Sequence, residues 1–183
     1  SHYCKGLAAR RQDMDGASLA RQLVEVSSHE DETAAGDLLA EWLREETDAD
    51  VTRDGAGNVI ARRGPADGRS LALVGHHDVV PPDASQVSAN DAYVVDERDG
   101  RLYGRGTADM KGALAAMALA FREANVDSPL VFASFVGEEV GGEGARYAIE
   151  NGVAPDVAIV GEGSTNYSRS GVTDVAVAHK GRR

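Results

Sequence analysis

The stretch Leu71-Ala72-Leu73-Val74-Gly75-His76-His77-Asp78-Val79-Val80-Pro81-Pro82 decides the fold. Four apolar residues in a row, closed by a glycine and later by two prolines, read as a short fully buried strand. Leu130 to Val136 and Val157 to Val160 are further apolar runs of strand length, with a helical pattern from about Glu143 to Glu150 between them. Strands alternating with helices predict an α/β protein, a three-layer α/β/α sandwich around a largely parallel sheet. In such a sheet a ligand crevice lies beyond the carboxyl ends of the strands. His76 and Asp78 stand at one such end.

Upstream, Leu19, Leu23 and Val26 recur at helical spacing, and Ala35, Leu38, Leu39, Trp42 and Leu43 do so after the capping residues Ser28 and Asp31. Val51 to Arg62 predicts a pair of strand pieces broken at Gly55-Ala56-Gly57-Asn58, and Gly64 to Gly68 a turn. Downstream, Val94-Val95 and Leu102-Tyr103 flank an Asp99-Gly100 hairpin turn, and Met110 to Arg122 predicts a buried helix. Val172 to Ala178 predicts one more strand.

Composition narrows the partners. The chain has 183 residues, 42% of them hydrophobic, which suits one soluble domain with a sizeable core. A formal net charge of -11 without a basic stripe excludes nucleic acid and anionic membranes as partners. Lysine is confined to Lys5, Lys111 and Lys180, a balance that fits either the proteins of salt-adapted cells or, equally, a merely acidic surface that aids solubility. The single cysteine, Cys4, allows no internal bridge, and no apolar run is long enough for a leader or a membrane span. A cytoplasmic setting is expected.

Acids and histidine recur in order at the ends of successive elements: His76-His77-Asp78, Asp109, Glu138-Glu139 and Glu162. A borderline divalent cation wants imidazole and carboxylate ligands, and a two-metal centre needs a carboxylate that can bridge ions roughly 3.5–4 Å apart. Asp109, at the mouth of the Met110 helix, suits the bridge, although alone it would read as a helix N-cap. Adjacent Glu138 and Glu139 repel unless a cation or shared proton relieves them, so one ligand and one proton shuttle is a sensible division; alone they would read as solvated surface. Taken as an ordered set, the clusters predict a two-metal hydrolytic centre. A nucleotide site at Gly104-Arg105-Gly106 is disfavoured, since the third fingerprint glycine is missing.

The longer words Gly75-His76-His77-Asp78-Val79-Val80-Pro81, Gly104-Arg105-Gly106-Thr107-Ala108-Asp109-Met110-Lys111-Gly112, Glu138-Glu139 with its trailing glycines, and Gly161-Glu162 resemble the acetylornithine deacetylase / succinyl-diaminopimelate desuccinylase family of dinuclear zinc amidohydrolases, over about Ser18 to Arg183. The resemblance implies a zinc-exopeptidase-like fold and hydrolysis of the amide bond of N-acylated amino acids or small peptides. It makes His76, Asp109, Glu139 and Glu162 the metal ligands, with Asp109 bridging, Glu162 on the metal of His76 and Glu139 on the other. Asp78 would orient the His76 ring, and Glu138 would be the general base. The metals would be two divalent ions, zinc by preference, with cobalt or manganese also suited. His77 falls at a variable position and is expected to be a non-ligand; His29 and His179 are expected at the surface or a junction. A strained or cis peptide after Asp109 is implied too.

Two departures from the family pattern stand out. Gly163 replaces a common proline after Glu162. His179-Lys180-Gly181-Arg182-Arg183 resembles the exit toward a lid domain, so residues 1–177 are expected to be the first part of a catalytic domain and 178–183 the start of a lid through which the parent would form a homodimer. The competing expectation is a truncated, catalytically silent metal-binding or interaction fragment.

Overall fold

The computed structural model describes residues 16–90 and 92–163. Two helices open it, α1 (Gly16–Glu25) and α2 (Thr33–Glu46). The hairpin strands β1 (Asp50–Arg53) and β2 (Val59–Arg63) follow, then β3 (Leu71–His76). A small separate hairpin pairs β4 (Asp96–Arg98) with β5 (Arg101–Tyr103). Helix α3 (Gly112–Glu123), strand β6 (Leu130–Phe135), helix α4 (Glu143–Glu150) and strand β7 (Val157–Val160) complete the order.

The main sheet runs β1-β2-β6-β3-β7. Its core is parallel, with β3 between β6 and β7, and the β1-β2 hairpin adds antiparallel strands beside β6. The α/β class follows from this mixed sheet and its helices. Alternation sorts the side chains: Val59, Ala61, Leu73, Leu130 and Phe132 point into one cluster with Leu19, Leu23, Leu39, Leu43, Leu114 and Phe121 from α1, α2 and α3. Phe121 and Phe132 meet there with ring centroids 5.9 Å apart.

The stretch that opens the sequence argument takes its central place because β3 is hydrogen-bonded on both sides, Leu71 opposite both Leu130 and Val157. Among the described residues β7 lies at the edge of the sheet, and Val157, Ile159 and Val160 on it are exposed. Its entry is fastened to that of β3: the Ser70 N–H and hydroxyl both donate to Asp156 Oδ2, at 2.7 and 2.9 Å.

Helix α3 begins at Gly112 rather than Met110. The preceding turn, Thr107–Lys111, is non-helical at both Asp109 (φ -131°, ψ 96°) and Met110 (φ -132°, ψ 29°), and the N-cap position falls on Lys111, so Asp109 is not a helix cap. Gly106 enters this turn at φ +80°, and a Cβ there would lie 2.6 Å from Val79 Cγ1, so only glycine lets the turn close against the end of β3. The expected strand at 172–178, the 177/178 domain boundary, Cys4 and His179 lie outside the described residues.

Candidate metal centre

The carboxyl ends of β3, β6 and β7, with the turn before α3, meet in one crevice. Strand β3 delivers His76 as its last residue, buried with only 2% exposure. Its Nε2 lies 3.2 Å from Asp109 Oδ1, 3.2 Å from Glu162 Oε2 and 3.9 Å from Glu138 Oε2. Donor atoms of His76, Asp109 and Glu139 also fall within 4.8 Å of one another. The residues expected together from the sequence therefore do come together. The peptide between Asp109 and Met110 is cis, as the family resemblance implies.

Asp78 sits behind the His76 ring. Nδ1 is 3.0 Å from the Asp78 backbone oxygen and 3.2 Å from its Oδ1, and of the two only the backbone oxygen has hydrogen-bond geometry. Both acceptors favour a proton on Nδ1, which turns the Nε2 lone pair toward the acids. Asp78 does a second thing that nothing in the sequence announces. Its Oδ2 accepts the Glu139 backbone N–H at 3.0 Å, so one carboxylate steadies both the histidine and the Glu138-Glu139 loop.

That loop has a further anchor in Asn58, a fully buried residue of the β1-β2 turn. Its Nδ2 donates to Asp54 Oδ2 and to the Gly144 carbonyl, and its Oδ1 accepts the Val136 N–H. Lys111 anchors the other side. Fully buried, it donates from Nζ to the Val26 carbonyl at 2.7 Å and so ties the Asp109 turn to the end of α1. Burial lowers its pKa to about 7.

The electrostatics show an excess of negative charge around one point. Burial, then the charge of Glu162, raises the Asp109 pKa; burial, then the charge of Asp109, raises that of Glu139. The hydrogen bond with His76 holds Glu162 below its ordinary value. For His76 itself burial works against the charged form, but hydrogen bonds and charges of Asp78 and Glu162 outweigh it and raise the pKa to about 11. Carboxylate oxygens around a ring nitrogen call for positive charge at that spot, and a proton or a metal cation supplies it. Donor atoms ~2.0–2.1 Å from a tetrahedral zinc stand ~3.3 Å apart, and the 3.2 Å separations of His76 Nε2 from Asp109 and from Glu162 match that spacing.

His77, next in sequence, faces away. It is fully buried, and its Nδ1 is 2.8 Å from Ser134 Oγ. Burial lowers its pKa from 6.5 to about 3. The unfolded chain takes up a proton there below about pH 6.5 and the folded chain only near pH 3, so this group costs stability as pH falls through that window. Between pH 7 and 4 the loss is expected to reach roughly 3 kcal/mol. Urea denaturation at the two pH values, on the protein and its His77→Asn variant, should show the smaller loss in the variant.

Fold and crevice together define an α/β protein with a carboxylate-histidine centre at its strand ends. The family model described as peptidase family M20/M25/M40 matches residues 72–179, and the chain belongs to that family. An acetylornithine deacetylase from Photorhabdus laumondii is 40% identical over 134 residues, which cover 68% of this chain and 34% of that protein. The chain thus spans about a third of the length of the curated relatives it matches. Among solved structures, a metallo-carboxypeptidase of the M20 family from Sulfolobus solfataricus superposes with a TM-score of 0.68 at 22% identity, covering 82% of this chain and 38% of that one. A dinuclear metal-binding peptidase of the M20 family from Bacillus subtilis superposes with a TM-score of 0.56 at 24% identity, covering 85% and 42%. These likenesses carry the fold. Among the described residues no helix is long and apolar enough to cross a membrane.

Proposed function

We propose that this chain carries the metal centre of a hydrolase that cleaves the amide bond of N-acylated amino acids or small peptides. The observation behind the reading is the meeting of His76 Nε2 with carboxylate oxygens of Asp109 and Glu162 at 3.2 Å, with Glu139 alongside. His76, Asp109 and Glu162 would hold one divalent ion, and Asp109 and Glu139 a second. Zinc suits this donor set, and cobalt or manganese would also bind. Bound there, the ions supply Lewis-acid polarisation of the scissile carbonyl and bring the pKa of water toward ~7.

Everything else falls to the protein. Glu138 is half exposed at the mouth of the crevice, 3.9 Å from His76 Nε2, free to take a proton from the attacking water and return it to the departing amine. Asp78 keeps the His76 ring in the tautomer that offers Nε2. The deacetylase named above supports N-acyl amino acids as the substrate class.

A zinc titration combined with hydrolysis assays on N-acetyl and N-succinyl amino acids tests the reading: uptake together with amine release supports it, and a chain that binds no zinc sinks it. Asp78→Asn adds a graded check. Its amide removes the negative charge beside His76 Nδ1 and keeps a single acceptor oxygen for the Glu139 N–H, so zinc affinity is expected to fall ~10–100-fold, measured by competition with a chelating dye.

A further inference from the structure

His29 is a ring donor or acceptor beside the metal centre that the proposed reaction leaves unused. Half buried after α1, it lines a cavity of about 250 Å³ whose walls include Val79, Val80, Pro81 and Val140 and which reaches Asp78 and Glu139. That volume is a little below the ~300 Å³ at which whole small-molecule sites begin, so it suits one substituent of a substrate rather than the whole.

The ring is held in a defined state. Tyr93, only 6% exposed, places its hydroxyl 2.7 Å from His29 Nδ1, and the two rings stack with centroids 5.9 Å apart. A buried phenol needs an acceptor for its proton, and among the described residues Nδ1 is the one within reach. Tyr93 therefore donates, Nδ1 accepts, and the neutral ring carries its proton on Nε2. Ser27 Oγ, 3.2 Å from Nδ1, adds to the same side. Nε2–H has no protein partner among the described residues and remains a donor for whatever enters the cavity.

Charge then selects the acceptor. Glu30, Glu32 and Glu139 also line the cavity, and among the described residues neither lysine nor arginine lines it. A carboxylate entering there would meet like charge. We propose that this cavity is a substrate subsite for a short aliphatic arm ending in an uncharged carbonyl, that His29 is its specificity-determining donor, and that Tyr93 positions the ring. The inference rests on the metal-centred reading, since it makes the cavity a neighbour of the reacting bond. The arm can belong to the amino acid or to the acyl group, and the probes separate the two.

The test uses the zinc-loaded protein and two isosteric sets: N-acetylglutamine, N-acetylglutamate and N-acetylnorleucine for an arm on the amino acid, and succinamoyl-, succinyl- and valerylglycine for an arm on the acyl group. In one set the amide-ended compound is expected to bind about 10-fold more tightly than the carboxylate-ended one and about 3-fold more tightly than the alkyl-ended one, the scale of one neutral hydrogen bond plus charge repulsion. Histidine ring NMR should show the Nε2-protonated form of His29 in the free protein and a shift of that signal only with the amide-ended ligand. His29→Leu should erase the preference for the amide over the alkyl end and leave the carboxylate penalty in place, with zinc uptake unchanged; His29→Gln, still an N–H donor, should restore most of the lost preference, and Tyr93→Phe should mix the ring tautomers. Equal binding of amide- and carboxylate-ended compounds in both sets, or a preference for the amide over the alkyl end that survives His29→Leu, overturns the inference. Failure of the metal-centred reading registers separately, as absent zinc uptake or absent hydrolysis.

Discussion

Asp109→Asn is expected to cost more zinc affinity than any other conservative change in the chain, beyond the ~10–100-fold given to the supporting residue Asp78. The amide keeps the shape of the side chain and can still face His76, but it carries no charge and its nitrogen is no ligand. In the proposed bridging role Asp109 would serve two ions at once, so its loss would reach both. The same change removes the Asp109 charge that, after burial, raises the pKa of Glu139. The metal-free variant should therefore fold at least as well as the original, and thermal melting with and without zinc separates the two effects. Zinc should raise the melting temperature of the original protein and leave that of the variant almost unchanged. A variant stabilised by zinc as strongly as the original would remove Asp109 from the centre.

Much of this arrangement was legible in the sequence because strand ends and turn residues are written locally. The run Leu71 to Val74 marks β3, Val157 to Val160 is β7 without adjustment, and α4 spans Glu143–Glu150 between Gly142 and Asn151. Asp109 was harder to place. Its neighbours read as a helix from Met110, yet its carboxylate is turned toward His76, and the backbone at Asp109 and Met110 is non-helical. Propensity favours a helix there, and the meeting of three strand ends overrides it.

The residues that the sequence hides are those whose partners lie far along the chain. Asn58 looks like any turn residue, and only the fold brings Val136 and Gly144 to it. His29 reads as a surface or junction residue, but its partner Tyr93 stands 64 positions away. The β1-β2 hairpin is readable from its glycines, whereas its docking against β6 is not, because any sheet edge of matching polarity would satisfy the same pattern. One signal for Lys111 was available: a lone lysine between Met110 and an alanine-rich helix is an unusual surface residue, and it is in fact fully buried.

Glu138 and Glu139 are neighbours in sequence with different surroundings, and paired substitutions should tell them apart. Glu138 is exposed and reaches no closer than 3.9 Å to His76, while Glu139 is less exposed, has its backbone N–H held by Asp78, and offers an oxygen within 4.8 Å of the His76 and Asp109 donors. Glu138→Gln keeps size and hydrogen bonding but removes the proton acceptor. Zinc content should survive, and the hydrolysis rate should fall by ~10²–10⁴, the usual worth of a positioned general base. Glu139→Gln should instead lower zinc occupancy, with lost rate following lost metal and partly restored by excess zinc. The measurements are metal content after gel filtration and rate at saturating substrate over a range of added zinc. If Glu138→Gln loses metal and Glu139→Gln loses only rate, the two roles are exchanged. If neither change touches metal or rate, the pair is solvated surface and the proposed proton path falls with it.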